Sequence, residues 1–243
     1  MNNLEFLETI RESFKTYLEI NTSRSTAKLK SLHGKIANDL QQKLGTEFTV
    51  HAQGYNDDRE KSIHGRYYDK RVDITVCKNS QTVAGYSIKF VMRNYSQNSN
   101  NYFEGMLGET ANIRTNAIPY FQIFIIFDKV PYFENSGKFS RYDIISFHNL
   151  QKYIALSKDN PQSYYHTPDK TLLVLLKLCE AEDNSFTSSQ EYANYYTTKI
   201  HEKNLIKYST NISNTSFDNG VILNDYSDFI ERTCYTILGN LKN

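Results

Sequence analysis

The chain has 243 residues, of which 39% are hydrophobic and 23% charged, and it carries a formal net charge of +1. This composition allows a large buried core and excludes a globally disordered chain. A nearly neutral total gives no support to nucleic-acid binding by bulk charge, but it leaves room for a local basic patch.

The first two predicted elements are helices. Apolar residues recur at helical spacing over residues 4–20, and again from about Ser25 to Leu44. Ser25 is suited to cap the second helix and Gly45 to end it. Residues 47–53 then alternate apolar and polar side chains, which predicts a strand. The segment that follows, GYNDDREKSIHG, is predicted to be a polar loop.

A hairpin is predicted next. Its strands are Tyr67–Cys77 and Val83–Val91, joined by a turn at Lys78–Gln81. A polar, Asn-rich loop, RNYSQNSNN, leads to a helix over Asn101–Arg114. The run Tyr120–Phe127 is almost entirely apolar, as is typical of a strand buried on both faces. The order from residue 25 is therefore helix, three strands, helix, strand.

The second half of the chain predicts one more strand among three helices. The helices are near Ile144–Ser157, Ser189–Glu202 and Asp225–Leu241, and the strand is Thr171–Leu178. We therefore expect an α/β fold, a mixed central sheet flanked by helices, with additional C-terminal helices and a single domain over residues 1–243. The core spans about residues 25–128, and the pattern leaves the role of residues 129–243 open.

The cysteines and the apolar runs bear on location. Cys77, Cys179 and Cys234 are far apart and form no CxxC pair, which favours a reduced, cytoplasmic setting. The N-terminal segment carries acidic residues inside its apolar pattern, unlike a secretory signal. No apolar run approaches the ~20 residues that span a bilayer, so we expect no membrane partner.

Polar residues interrupt the apolar pattern of the predicted hairpin. Asp73 interrupts the first strand, and Ser87 and Lys89 share one face of the second. A tight turn centred near Asn79 would place Asp73 opposite Ser87 and diagonal to Lys89, at roughly 5 Å and 7–8 Å. A slip of one residue would put them on opposite faces. Glu104, at the start of the following helix, could reach back towards these strand ends.

Two carboxylates and one amine in such a place suit phosphodiester hydrolysis. The reaction builds negative charge on phosphoryl oxygens, which Mg²⁺ held by carboxylates neutralises while it activates water. Mg²⁺ takes one or two protein carboxylates and completes its octahedron with water and phosphate oxygens. We expect Asp73 and Glu104 to bind the metal, Lys89 to assist the water and the phosphate, and Ser87 to orient its neighbours.

The pairing of Val72-Asp73 with Ser87-Ile88-Lys89 resembles the motif of the PD-(D/E)xK nuclease superfamily, and more narrowly that of type II restriction endonucleases. In that family an acid at the end of one core strand precedes an acid–x–Lys motif on the next. Here Ser87 stands where the second acid is expected, which removes one ligand. Some restriction enzymes with Ser-x-Lys supply the acid from the following helix, and Glu104 fits that relocation. The element order over about residues 25–128 also resembles the superfamily's αβββαβ core.

Other residues stay open as parts of the site. Glu109 is the alternative to Glu104, and Glu60 or Asp69 could complete the metal site. Asp73 could instead be an edge-strand carboxylate that pairs with a neighbouring basic side chain. The six histidines show no metal-ligand spacing, so none is assigned a role.

The Asn-rich loop after the hairpin is the predicted DNA contact. Asn and Gln side chains can make paired hydrogen bonds with adenine, and Arg with guanine. The alternative is a surface turn, which Asn also favours. The predicted contacts are Arg93, Asn94, Gln97, Asn98, Asn100 and Asn101.

The resemblance implies a Mg²⁺-dependent endonuclease that cuts double-stranded DNA, in the first instance a sequence-specific type II restriction enzyme. A homodimer is expected by the same analogy, because twofold symmetry matches a palindromic site. Two alternatives stay open. One is a nuclease of the same fold in phage defence or DNA repair. The other is a DNA-binding protein without catalysis, for which Ser87 is the main argument.

Overall fold

The computed structural model describes residues 1–21, 25–179, 186–211 and 215–241. Its helices are α1 (Asn3–Ile20), α2 (Ala27–Leu44), α3 (Ser99–Arg114), α4 (Phe147–Lys158), α5 (Ser189–Lys199) and α6 (Tyr226–Asn240), with a 3-10 turn at Ser96–Asn98 before α3. Its strands are β1 (Phe48–Ala52), β2 (Ser62–His64), β3 (Asp69–Arg71), β4 (Ile74–Lys78), β5 (Gln81–Val91), β6 (Tyr120–Phe127), β7 (Lys129–Phe133), β8 (Phe139–Ile144), β9 (Lys170–Leu178), β10 (Ile206–Tyr208) and β11 (Val221–Leu223).

Seven of the strands in these ranges form one sheet. Their order is β1-β4-β5-β6-β9-β10, and β11 pairs with the first part of β9. β5, β6 and β9 run parallel, whereas β1, β4 and β10 pair antiparallel with their neighbours. The prediction of a mixed central sheet flanked by helices is confirmed. Two small hairpins, β2-β3 and β7-β8, lie outside this sheet and are absent from the sequence prediction.

Helices cover both faces of the sheet. On one face, Phe14 of α1 packs against Phe127 of β6, with 5.1 Å between the ring centroids. On the other face, Phe124 of β6 contacts Tyr102 of α3 and Tyr153 of α4. Because side chains alternate between faces along a strand, these two contacts assign α1 and the pair α3–α4 to opposite layers.

The chain builds the sheet in the predicted order α2, β1, β4, β5, α3, β6, with the β2-β3 hairpin inserted after β1. The predicted strand Tyr67–Cys77 is divided into β3 and β4. Between them Val72 is buried in a small separate cluster with Ile63 and Ile113, which takes this part of the chain away from the main sheet. Asp73 therefore lies directly before β4.

The turn of the β4-β5 hairpin is tight. Its two central residues, Asn79 and Ser80, both have positive φ, 49° and 65°, as two-residue hairpin turns require. Regular pairing outward from this turn would place Asp73 opposite Tyr86. It would thereby bring a core aromatic side chain and a carboxylate onto the same face.

A β-bulge prevents that arrangement. The register shifts between the third and fourth residues of β4, so that Ile74 pairs with Tyr86. Continued by one residue, this register places Asp73 opposite Ser87, which is the pairing that the sequence predicts.

The C-terminal region belongs to the same sheet and core. β9 pairs with β6 from Lys170 to Leu176, and its residues from Thr171 to Leu176 are buried. Tyr226 of α6 stacks on Phe6 of α1, with ring centroids 4.2 Å apart. The part of the chain whose role the sequence leaves open thus supplies an interior strand and part of a helical layer.

The helices and the cysteines of the described residues bear on membrane crossing and on disulfide formation. None of the helices there has both the length and the apolarity to cross a bilayer. Cys77, Cys179 and Cys234 are free thiols, and two of them, Cys77 and Cys234, are buried.

Candidate functional site

A cleft of about 440 Å³ opens between the sheet and α3. Ser87 and Lys89 of β5 both line it, because alternate residues of a strand point to the same side. Glu109 of α3 and Lys70 of β3 line it too. The cleft therefore brings a hydroxyl, a carboxylate and two ammonium groups together on the sheet face predicted for the site.

Asp73 lies beside this cleft and is half-buried. Its Oδ2 accepts a hydrogen bond from the Ile88 N–H at 2.6 Å, and Ser87 also hydrogen bonds with its carboxylate. Burial raises the pKa of Asp73 to about 6, and the Glu109 carboxylate contributes to the rise while the Ile88 N–H opposes it. Such surroundings favour a cation next to the ionised carboxylate.

Polar contacts connect Asp73 with α3. Glu109 accepts a hydrogen bond from the Tyr120 hydroxyl, and its Oε2 pairs with Lys70 Nζ at 2.8 Å. Ser87 hydrogen bonds with Tyr120 as well as with Asp73. Ser87 therefore joins the two carboxylate groups through the tyrosine, which is the position that an orienting role requires.

Basic side chains gather at the end of β5. Lys89 extends over the ring of Tyr102, with Nζ 4.7 Å from the ring centroid. Burial lowers the pKa of Lys28 in α2 to about 8, and the charges of Lys89 and Arg93 contribute to the shift. Three cationic groups are therefore close together although the chain as a whole is nearly neutral. A cluster of this kind attracts anions.

The structure places Glu109, and not Glu104, in the cleft. Five positions along a helix rotate a side chain by about 140°, so the two carboxylates leave α3 in different directions. Glu104 is exposed and acts on the pKa of Lys152 in α4. Asp69, a further alternative ligand, is exposed and pairs with His64 at 2.6 Å. Among the acids predicted from α3, Glu109 is the one that lines the cleft, and its charge acts on Asp73 beside it.

Asp73 also belongs to a cluster with His33 and Glu60. One ligand atom from each residue lies within 4.8 Å of the other two. Burial lowers the pKa of His33 to about 4, against the opposing effect of Glu60. Burial raises the pKa of Glu60, and Asp73 adds to that rise. The imidazole is therefore neutral at pH 7 and can offer a nitrogen lone pair.

Two glycines allow α2 to lie against the loop that carries Glu60. A Cβ on Gly34 would stand 2.2 Å from the carbonyl oxygen of Gly54, and a Cβ on Gly54 would stand 2.2 Å from that of Lys30. Gly54 also has a φ of +78°, which side chains other than glycine rarely adopt. This close approach of two backbones holds His33 next to Glu60.

No family model, curated protein or solved structure matches this chain. A fold by itself hosts many functions, so the function has to follow from the side chains of the site. What those side chains can do is hold a divalent cation and an anionic group next to each other.

The predicted DNA-contact residues do not form an open loop. Arg93 and Asn94 lie in the segment between β5 and the 3-10 turn, and the other four occupy that turn and the first turn of α3. Asn94 donates to the Phe133 carbonyl and accepts from the Phe133 N–H, at 2.8 Å each. Gln97 accepts a hydrogen bond from the Tyr132 hydroxyl. These two side chains bind β7, so their contacts are within the protein.

The other four predicted contacts divide into two pairs. Asn98 donates to a backbone carbonyl of its own segment, and Asn100 accepts from Lys152. Asn101 lines the cleft, whereas Arg93 lies near Lys28 and hydrogen bonds with Tyr17 of α1. Of the predicted contacts, Asn101 is therefore the one that lies where a ligand of the cleft would pass.

The sequence prediction assigns no role to His33. Its partners lie far away in the chain, so no metal-ligand spacing shows it. One signal is present: His33 follows Leu29 by four residues and precedes Ile36 by three, which puts a polar side chain on the apolar stripe of α2.

Proposed function

We propose that this protein is a Mg²⁺-dependent DNA endonuclease of the kind that type II restriction enzymes represent. One observation carries the proposal: Ser87, Lys89 and Glu109 line one cleft, and Ser87 hydrogen bonds with the carboxylate of Asp73, whose pKa the charge of Glu109 raises. Carboxylates next to an ammonium group, beside an open cleft, are what phosphodiester hydrolysis requires.

The order of elements supports the same proposal. α2, β1, β4, β5, α3 and β6 follow the αβββαβ order of the PD-(D/E)xK nucleases. Asp73 comes directly before the second strand of that series and Lys89 lies on the third, where the family motif has its acid and its lysine. This agreement adds to the chemistry of the site and does not replace it.

The residues present fit a hard divalent cation. Asp73 and Glu109 offer carboxylate oxygens, and Mg²⁺ takes one or two such ligands besides water and phosphate oxygens. Besides burial, the charge of Glu109 raises the pKa of Asp73, and a cation between the two would remove that repulsion. Mg²⁺ supplies charge neutralisation at the phosphoryl oxygens and lowers the pKa of a water molecule.

The side chains of the protein position the substrate and stabilise the charge that develops on it. Lys89 is placed to hold a phosphoryl oxygen and to stabilise the charge that develops on it. Ser87 keeps Asp73 in position, and Lys28 and Arg93 add positive charge for the nucleic-acid backbone. In the reaction the oxygen of water bonds to phosphorus, one ester bond from phosphorus to oxygen breaks, and the leaving oxygen takes up a proton.

Double-stranded DNA as the substrate implies a second copy of the chain. Both strands have to be cut, and a twofold homodimer presents the same site to each strand of a palindromic sequence. We therefore propose a homodimer as the active form, with Asn101 as the first residue to examine for contact with DNA.

Cleavage of a mixed-sequence plasmid tests this proposal. With Mg²⁺ we expect discrete fragments, and we expect Asp73→Asn and Lys89→Ala each to lower the rate by roughly 100-fold or more. Asp69→Asn and Lys177→Ala are matched controls, because both residues are exposed and neither lines the cleft. Both controls should cut at the wild-type rate.

The pattern of products separates the alternatives. Defined bands favour a restriction enzyme, whereas a smear or structure-dependent cuts favour a nuclease of phage defence or repair. Fragments that persist in both Asp73→Asn and Lys89→Ala would rule out the assigned site. Binding of DNA without cleavage in any divalent metal would leave the non-catalytic alternative.

A further inference from the structure

We infer that His33, Glu60 and Asp73 form a binding site for a divalent first-row transition ion, and we choose Co²⁺ as its probe. Asp73 is also a ligand of the proposed Mg²⁺ site, so the relation of this second ion to the nuclease rests on the proposed function. As a statement about a binding site, the inference depends only on these three side chains and can be tested without DNA.

The observation that points to a ligand is that the imidazole of His33 is buried without a hydrogen-bond partner. Its side chain is 3% exposed, and within the described residues neither of its ring nitrogens has a hydrogen-bond partner. Buried polar atoms nearly always have a partner, and leaving one without costs about 1–3 kcal/mol. An ion bound to one ring nitrogen supplies that partner.

The spacing of the three groups suits a shared ion. Their ligand atoms lie within 4.8 Å of one another. With metal–ligand bonds of about 2.1 Å, two ligands on opposite sides of an ion are about 4.2 Å apart. Glu60 and Asp73 are half-buried, so small rotations of their carboxylates close the set around an imidazole that α2 holds in place.

The donor set determines the class of metal. Mg²⁺ prefers a shell of oxygens, whereas an imidazole nitrogen favours the later divalent ions of the first row, with affinity rising from Mn²⁺ to Cu²⁺. Two carboxylates neutralise the charge of such an ion, and the remaining positions stay open to water. The cluster therefore discriminates for Co²⁺, Ni²⁺ or Zn²⁺ and against Mg²⁺.

Titration of the full chain with Co²⁺, followed by visible absorption and by calorimetry, tests the site. We expect binding at least 10-fold tighter than that of Mg²⁺, with an absorption band that reports a nitrogen ligand. His33→Gln should weaken Co²⁺ binding 10- to 100-fold and shift the band. Glu60→Gln should weaken binding by a similar factor while it leaves the imidazole in place. His148→Gln is the matched control, because His148 is exposed on α4.

Thermal unfolding establishes that the variants are folded. If the His33→Gln protein does not fold, the Co²⁺ affinity of Glu60→Gln tests the inference. Wild-type Co²⁺ affinity in a folded His33→Gln or Glu60→Gln protein overturns the inference, even where the plasmid is cut with Mg²⁺. Co²⁺ binding that requires His33 and Glu60 supports the inference, even where no metal permits cleavage. In that second case the proposed function fails and the metal site stands.

Discussion

Asp73 is the residue at which stability and the proposed function make opposite demands. It is half-buried, and it lies near Glu109 and Glu60. In an unfolded chain its pKa is about 3.9, whereas burial raises it to about 6 in the folded protein. The folded state is therefore less stable once Asp73 is ionised, and a cation at this carboxylate would restore the difference.

Replacing Asp73 with Asn should stabilise the metal-free protein near neutral pH. Because the folded pKa is the higher one, the stability contributed by protonated Asp73 is present below about pH 4 and is lost as the pH rises to about 6. Asn carries no charge, so we expect a gain of about 1–2 kcal/mol above pH 7, after allowance for solvent screening, and no gain near pH 4.

Urea unfolding in the presence of a chelator, at a pH above 7 and at one near 4, measures this gain. Asp69→Asn is the control, because Asp69 is exposed and its replacement should change neither value. A loss of stability in Asp73→Asn above pH 7 would show that the carboxylate is not disfavoured in the fold.

The two acids of α3 give a second prediction. Glu109→Gln should lower the rate of plasmid cleavage by roughly 10- to 100-fold, because Glu109 lines the cleft and raises the pKa of Asp73. Glu104→Gln is the control, because it removes the same negative charge from α3, and this variant should cut at the wild-type rate. The reverse pattern would return the metal ligand to Glu104, where the sequence resemblance places it.

At the scale of elements, long and strongly patterned segments follow from the sequence and short ones do not. The eight residues of β6 have the predicted bounds, because a continuous apolar run fits a strand buried on both faces. β2 has three residues, too few for an alternating pattern to show, and β3, also of three residues, is part of the longer predicted strand Tyr67–Cys77. α3 begins two residues before its predicted start, because Ser99 and Asn100 are polar and show no apolar repeat that would predict a helix there.

The register of the β4-β5 hairpin could be predicted only in part. The pairing of Asp73 with Ser87 is predicted from a tight turn, but regular pairing outward from that turn gives Tyr86 as the partner of Asp73. The bulge in β4-β5 supplies the missing residue. Burial of Tyr86 explains why the bulge forms, because without it this core aromatic would share the face of Asp73. Local sequence propensity does not predict the bulge. The need to bury Tyr86 in the core does.

The contact of α2 with the loop before β2 gives a third prediction. Gly34→Ala should lower the free energy of unfolding by about 1–3 kcal/mol, because the new Cβ would meet the carbonyl oxygen of Gly54. It should also weaken Co²⁺ binding, since separation of the two backbones moves His33 from Glu60. Denaturant unfolding and the Co²⁺ titration measure the two effects.

Gly239→Ala is the control for that substitution. Gly239 is also in a helix, and a Cβ there would meet nothing within 4 Å. In a helix this change is expected to stabilise by up to about 1 kcal/mol. A Gly34→Ala protein as stable as the wild type would mean that α2 and the loop do not touch.

At the scale of the whole molecule, the site exists only because distant parts of the chain meet. Asp73, Ser87 and Lys89 lie on one hairpin, so their proximity follows from local pairing and could be predicted. His33 comes from α2 and Glu109 from α3, and no local pattern fixes where those helices lie. For the same reason the sequence leaves the C-terminal region without a role, because β9 pairs with β6 across three intervening elements, β7, β8 and α4.

The pairing of β9 with β6 predicts that the C-terminal region and the site unfold together. Leu172 is fully buried in β9, and Leu172→Ala should lower the free energy of unfolding by about 2–5 kcal/mol. Hydrogen exchange followed by mass spectrometry should then show faster exchange in peptides of β5, which carry Ser87 and Lys89, because the core strands exchange through global opening. Lys177→Ala, at an exposed position of the same strand, should leave that exchange unchanged. If Leu172→Ala accelerated exchange in β9 alone, the C-terminal region would be a separate folding unit, and the site would not depend on it.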